Sequence, residues 1–356
     1  MIINASKAIV AGELKTDVSI EVSNGIIKNI GAAVSNPDKT VSVLVPGFVD
    51  IHCHGGGGTY FSNDPTKVAE THLSHGTTSV LASLVTEPIE TLIKQVERIR
   101  PTIGIGSIKG IHLEGPYLAH THCGAHDPQL LRAPNIEEFQ KFIDASNGNI
   151  RMVTMAPELE GAIEATKFLV KNDVVVALGH TGADADTTNR AIDAGATLIT
   201  HFSNGMPKPA TGAGTIAEVG IKDARLALEF ILDGHHINDA DATNYLTAAS
   251  GRSIVITDAM SAAGAQDGDY KIGELPVTVA DGVARLKSNG SLAGSTLTMD
   301  RAVLHMHKHL NFSLVDSINA ASKLPAEIIG LKDVGQIAVG FKADLLEFDG
   351  SNFKHV

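Results

Sequence analysis

The run Asp50-Ile51-His52-Cys53-His54 sets two imidazoles two residues apart. On a strand such residues share a face, so His52 and His54 point together while Cys53 points away. Two imidazoles side by side make half of a metal site. Other apolar runs also end in polar groups. Gly110-Ile111-His112-Leu113 leads to Glu114, which Gly115-Pro116 follows with a sharp turn that leaves the acid exposed. The runs from Val174 and Thr197 end in His180 and His201, and the run from Ser253 ends in Asp258. One strand-end histidine is usually structural, but four histidines and a glutamate on one rim call for a metal. A carboxylate beside such a metal and its water can accept the water's proton and pass it to a leaving amine, so Asp258 reads as general base and acid. The competing reading of Asp258 as a helix N-cap is weaker, because Ala259-Met260-Ser261-Ala262-Ala263-Gly264 looks like a loop.

Strands must carry these groups to a common rim. Eight apolar runs, at residues 48–54, 78–84, 108–114, 151–157, 174–180, 197–203, 226–235 and 253–259, alternate with helical-length segments such as 136–146, 159–171 and 183–194. That alternation predicts an α/β fold, a (β/α)8 TIM barrel, whose catalytic groups sit at the C-terminal ends of the strands. A doubly wound open sheet is the structural alternative, but no Gly-x-Gly-x-x-Gly turn follows the first strand.

Residues 1–45 alternate apolar and polar positions around Asn24-Gly25, a hairpin signal. With residues 338–356 they are expected to form a small β-sandwich-like domain beside a barrel of residues 46–337, the run 343–348 pairing with the N-terminal unit. A hairpin insertion is expected over 277–286 and helices over 301–310 and 314–329.

Composition narrows the function. Twenty-eight Lys and Arg against 40 Asp and Glu give a net charge of -12, which disfavours nucleic acid and anionic membranes as partners. No signal peptide or membrane span is evident, and two cysteines, Cys53 and Cys123, fit a reducing compartment, so a cytoplasmic protein is expected. Neither cysteine is assigned catalysis. Of the 16 histidines, His72, His75, His305, His307, His309 and His355 read as surface residues, and His120 and His122 as solvated loop residues.

The motifs His112-Leu113-Glu114-Gly115-Pro116, Gly124-Ala125-His126-Asp127-Pro128, Met155-Ala156-Pro157-Glu158, Gly179-His180-Thr181, Thr200-His201-Phe202-Ser203-Asn204-Gly205-Met206, Asp233-Gly234-His235-His236, Thr257-Asp258-Ala259 and Leu292-Ala293-Gly294-Ser295 carry a resemblance. The chain resembles the N-acetylglucosamine-6-phosphate deacetylases of the amidohydrolase superfamily over nearly its whole length. The resemblance implies Glu114, His180 and His201 as principal metal ligands, His52 and His54 as holders of a second ion with Glu114 bridging, and Asp258 as catalytic acid and base. It implies that His126 polarises the acetamide carbonyl, and that Ala125, Asn204, Gly205, His236, Leu292, Ala293 and Gly294 line a small-molecule amino sugar phosphate. One or two divalent metals per subunit follow, zinc first, with iron, manganese or cobalt as alternatives. The implied assembly is a homodimer, the equivalent of His236 being donated by the partner.

Three departures stand out. No arginine follows Met206 in Pro207 to Gly214 to bind phosphate, so Lys208 or another subunit must substitute. Gly205 replaces the family's usual alanine, a change expected to be tolerated, and the chain's end at Val356 implies a reduced small domain. The expected reaction is acetamide hydrolysis giving acetate and a free amino sugar phosphate. The alternatives are an N-acetylgalactosamine 6-phosphate or unphosphorylated substrate, a dihydroorotase-like or deaminase-like hydrolase, or a non-catalytic barrel scaffold, which should have lost some of Glu114, His180, His201 and Asp258.

Overall fold

In the computed structural model, which describes residues 1–209 and 214–356, eight parallel strands form one sheet in sequential order. They are Phe48–Cys53, Thr77–Leu84, Ile108–Glu114, Ile150–Met155, Val175–Leu178, Leu198–Ile199, Ala227–Ile231 and Ser253–Ile256. The first and last meet at a seam, where the Asp258 N–H donates to the His52 carbonyl at 2.8 Å and the His54 N–H to the Ala259 carbonyl at 2.9 Å. Asp50 also spans the seam, its Oδ2 accepting from the Thr257 hydroxyl at 2.6 Å. The sheet is thereby rolled into a barrel, with a helix outside after each strand, as right-handed crossovers require.

Several strands are shorter than their apolar runs. The sixth stops at Ile199 because His201 and Ser203 take φ of 27° and 73°, leaving the extended region. The helix Ile136–Ser146 matches its expected bounds; Asn135 caps its start and Asn147, at φ 54°, ends it. The helix expected over 314–329 is two, Leu314–Ala321 and Lys323–Ile328. Pro325 cannot donate to the carbonyl four residues back, so one continuous helix breaks near Ser322.

The terminal segments build a six-stranded sheet in the order Phe353–His355, Leu345–Phe348, Lys39–Pro46, Ile2–Val10, Glu13–Ser23, Ile26–Ala32. Asn24 and Gly25, at φ 51° and 71°, make the tight turn that pairs Ser23 with Ile26. The run ending in Phe348 pairs with Lys39–Pro46, and Phe353–His355 adds a further strand where a reduced sheet was expected. The expected hairpin is present as Leu275–Ala280 and Val283–Leu286, and Gly268–Ile272 joins it as a third strand. Among the described residues no helix is long and apolar enough to cross a membrane.

Candidate metal centre and reaction cavity

Glu114 ends the third strand with both carboxylate oxygens inside the barrel mouth. Its Oε1 lies 3.2 Å from His180 Nε2 and 3.0 Å from His201 Nε2, and those two nitrogens are 3.0 Å apart. Its Oε2 lies 3.2 Å from His54 Nε2, which is 3.2 Å from His52 Nε2. Asp258 Oδ1 completes the cluster at 3.3 Å from His54 Nε2 and 3.5 Å from His52 Nε2. All six side chains are buried.

Tautomers follow from the opposite ring edges. A carbonyl or carboxylate oxygen only accepts, so a ring nitrogen facing one carries the proton. His180 Nδ1 faces the His122 carbonyl at 2.8 Å, His201 Nδ1 the Asn204 carbonyl at 3.2 Å, and His52 Nδ1 the Glu229 carboxylate at 3.1 Å. Each Nε2 therefore presents a lone pair to the cluster. Three lone pairs facing carboxylate oxygens at these distances repel unless a cation or proton lies between them. The donor set, imidazole nitrogen and carboxylate oxygen spaced as around ions with ~2.0–2.2 Å bonds, fits a divalent metal.

Backbone geometry explains how strand ends deliver these groups. His180, His201 and Asp258 have φ of 49°, 27° and 47°, conformations that ordinary residues avoid and that cluster at functional sites. Gly124 and Gly205 make room for His180. A Cβ on either would come within 3.0 Å of its ring, and Gly205 has φ +60°. Alanine at 205 would thus be strained in this chain.

Burial would raise the pKa values of Glu114 and Asp258, but where protons and not a cation lie between these groups, the charge then carried by His52 and hydrogen bonds from neighbouring histidines hold both carboxyls below the usual range. His126 is the reverse case: burial, with the adjacent His180, pushes it down to about 4, so it is neutral near pH 7. Its Nδ1 lies 2.8 Å from the Thr86 hydroxyl and 3.4 Å from the Thr86 N–H, which can only donate, and its Nε2 faces Glu114 Oε2 at 3.5 Å, which can only accept, so the ring proton belongs on Nε2. His126 is therefore a neutral donor aimed into the centre.

A cavity of about 150 Å³ opens above these groups. Ala125, His126, Asn204, Gly205, His236, Leu292 and Gly294 line it together with Glu114, His54, His180, His201 and Asp258, while Ile231 and Ile272 add apolar wall. Ala293 does not line it; it packs with Met260, Val277 and Leu286 beneath the three-stranded sheet. The chain's own His236 lies on the wall, its Nδ1 2.7 Å from Asp233 Oδ2. Among the described residues, no lysine or arginine lines the cavity. Lys208 is exposed, and 210–213, part of the segment expected to meet phosphate, lie outside the described residues.

A family model, the amidohydrolase family, matches residues 43–355. The chain belongs to the amidohydrolase family. It is 35% identical over 343 residues to the N-acetylgalactosamine-6-phosphate deacetylase of Escherichia coli O157:H7, covering 94% of this chain and 91% of that one. It is 34% identical to the N-acetylglucosamine-6-phosphate deacetylase of Bacillus subtilis strain 168, covering 86% of this chain and 80% of the relative. Among solved structures, an alanine mutant of the Mycobacterium smegmatis N-acetyl-D-glucosamine-6-phosphate deacetylase in complex with N-acetyl-D-glucosamine-6-phosphate superposes with a TM-score of 0.95 at 37% identity, over 99% of this chain and 96% of that one.

Sequence reasoning assigned no role to Glu229, Thr86 or Asp233, which touch His52, His126 and His236. Glu229 was visible as an acid inside the apolar run Leu228-Glu229-Phe230. It also misplaced His72. That residue is fully buried on the inner face of helix Pro65–Ser74, its Nε2 3.2 Å from Cys53 Sγ and 2.9 Å from the Gly55 carbonyl.

Proposed function

We propose that this chain hydrolyses the acetamide of N-acetyl-D-glucosamine 6-phosphate to D-glucosamine 6-phosphate and acetate. The observation that carries the reading is the meeting of Glu114, His180 and His201 within hydrogen-bonding distance of one another, with Asp258 on the same cavity. Similarity to deacetylases of this class over most of the chain supplies the substrate.

Glu114, His180 and His201 would hold one divalent cation, and His52, His54 and Glu114 a second. Zinc suits this imidazole and carboxylate set. A bound cation would supply Lewis acidity, polarising the carbonyl and bringing the ionisation of water to ~7. Asp258, ionised and facing the cluster, accepts a proton from the attacking water and returns it to the departing amine. His126 donates a hydrogen bond from its Nε2–H to the carbonyl oxygen as negative charge develops there. Asn204, His236 and the Gly205 and Gly294 backbones orient the sugar, while Leu292 closes one wall.

A homodimer belongs to the same reading: a cavity without lysine or arginine on its described lining leaves a place for a partner's cation at the phosphate. A cytoplasmic setting fits the acidic composition and two unpaired cysteines. The same reading divides the chain into a barrel of residues 46–337 and a small β domain of 1–45 with 338–356, and the separate eight-stranded and six-stranded sheets support it.

A second reading, hydrolysis of N-acetylgalactosamine 6-phosphate, is favoured by the E. coli relative and by a Shewanella relative of the same name at 33% identity. Acetate release from both 6-phosphates and from the unphosphorylated sugars tests the proposal. Fastest turnover of N-acetylglucosamine 6-phosphate supports it, and ammonia in place of acetate would reject the reaction class.

A further inference from the structure

Glu229 lies on the seventh strand, two residues before the cavity-lining Ile231, so both side chains face the barrel interior. It is fully buried and does not touch the cavity. Its Oε2 accepts from His52 Nδ1 at 3.1 Å and from the His201 backbone N–H at 3.1 Å. Its Oε1 has no hydrogen-bond partner among the described residues. A buried carboxylate so incompletely paired is costly, and such groups are retained where a charge or a ligand depends on them.

The two contacts join the two halves of the centre. His52 belongs to the His52–His54 pair at the end of the first strand, and His201 to the group around Glu114 Oε1, with His180, just beyond the fifth and sixth strands. Because a carboxylate only accepts, Glu229 keeps the His52 proton on Nδ1 and turns the Nε2 lone pair toward His54, Glu114 and Asp258. Packing alone would leave the ring free to carry its proton on either nitrogen: His112 meets the His52 ring edge to face at 4.6 Å without a hydrogen bond to it. Neutral alternatives at 229 would fill the space without dictating that tautomer. Asp50, the other fully buried acid near this strand, accepts from Thr257 and from the His52 backbone and leaves the imidazole untouched.

We propose that Glu229 is a positioning residue that fixes the His52 imidazole and so sets the cation affinity of the His52–His54 half of the centre. The proposal rests on the metal reading above. It is tested by titrating metal-stripped protein with zinc in a calorimeter, comparing wild type, Glu229→Gln and His52→Ala. The wild type should show two binding events per chain, of which His52→Ala abolishes one. Glu229→Gln should weaken that same event by ~10–100-fold and leave the other unchanged. In nitrogen NMR of histidine-labelled protein, the His52 ring should lose its single Nδ1–H tautomer in the glutamine variant, a change that a purely structural defect would not produce. Should Glu229→Gln fail to fold, Glu229→Asp, which keeps the charge and withdraws it by one methylene, should weaken the same event. Equal zinc affinities in the wild type and the Glu229 variant would overturn the proposal while leaving the metal reading intact. Absence of zinc uptake by the wild type, or a single event indifferent to His52→Ala, would overturn it as well, the former sinking the metal reading with it.

Discussion

Asp258 Oδ1 lies 3.3 Å from His54 Nε2, across the seam where the last barrel strand meets the first. The acid therefore faces the histidine pair without itself being needed to assemble the Glu114, His180 and His201 group. Asp258→Asn should retain that group's metal and lose turnover by about 10²–10⁴-fold, the range for a general acid–base residue. Single-turnover acetate release alongside elemental analysis checks both halves, and near-normal turnover would remove Asp258 from the chemistry.

His180→Ala or His201→Ala should act the other way, lowering bound metal first and activity as a consequence. Each Nε2 lies within 3.2 Å of Glu114 Oε1, and the two nitrogens are 3.0 Å apart. Metal-to-protein ratios equal to wild type after purification would reject the ligand assignment. Chelation of the wild type should likewise lower its unfolding temperature, because loss of a ligand held at 100 times its Kd removes about 2.7 kcal/mol.

His126→Ala should cost ~10²–10³ in kcat with metal content unchanged, as expected when one oxyanion donor is removed. A rise in KM alone would mean that His126 binds the sugar and takes no part in stabilising developing charge.

Asp233→Asn probes the His236 anchor through stability. Burial alone would raise the Asp233 pKa, but the His236 imidazole and the N–H groups of His235 and His236 bring it down to about 2. An unfolded aspartate takes up its proton at higher pH than the folded one does, so the stabilisation is complete above about pH 4 and disappears as pH falls through about 2. Urea unfolding at pH 7 should show a deficit of about 2 kcal/mol for Asp233→Asn, narrowing below pH 4. A deficit equally large at pH 2 would contradict the assigned cause.

The barrel was legible because its strands are buried on both faces and read as apolar runs, and because polar groups recur where those runs stop. Asn24-Gly25 announced its turn through the backbone freedom of two residue types. The run 226–235 was less transparent. Its hydrophobicity marked a strand but concealed that Glu229 was the group worth naming, since its importance lies in contacts with residues 28 and 177 positions away. Gly268–Ile272 escaped notice because glycine, aspartate and lysine mask an edge strand whose pairing is set by the hairpin beside it. His72 looked like a helix-surface residue, and only the packing of its helix against Gly55 and Gly56 shows that it faces inward. Ala293 followed the motif around it, yet a motif names neighbours in the chain and not which of them turn toward a cavity.

The seam gives the protein a built-in reporter. The amide proton of Asp258 is held by the carbonyl of His52, so it can trade with solvent deuterium only when the first and eighth strands part. A ligand gripping His52, His54 and Asp258 together would clamp those strands, and the exchange clock of this one amide would slow even when nothing else in the spectrum moved.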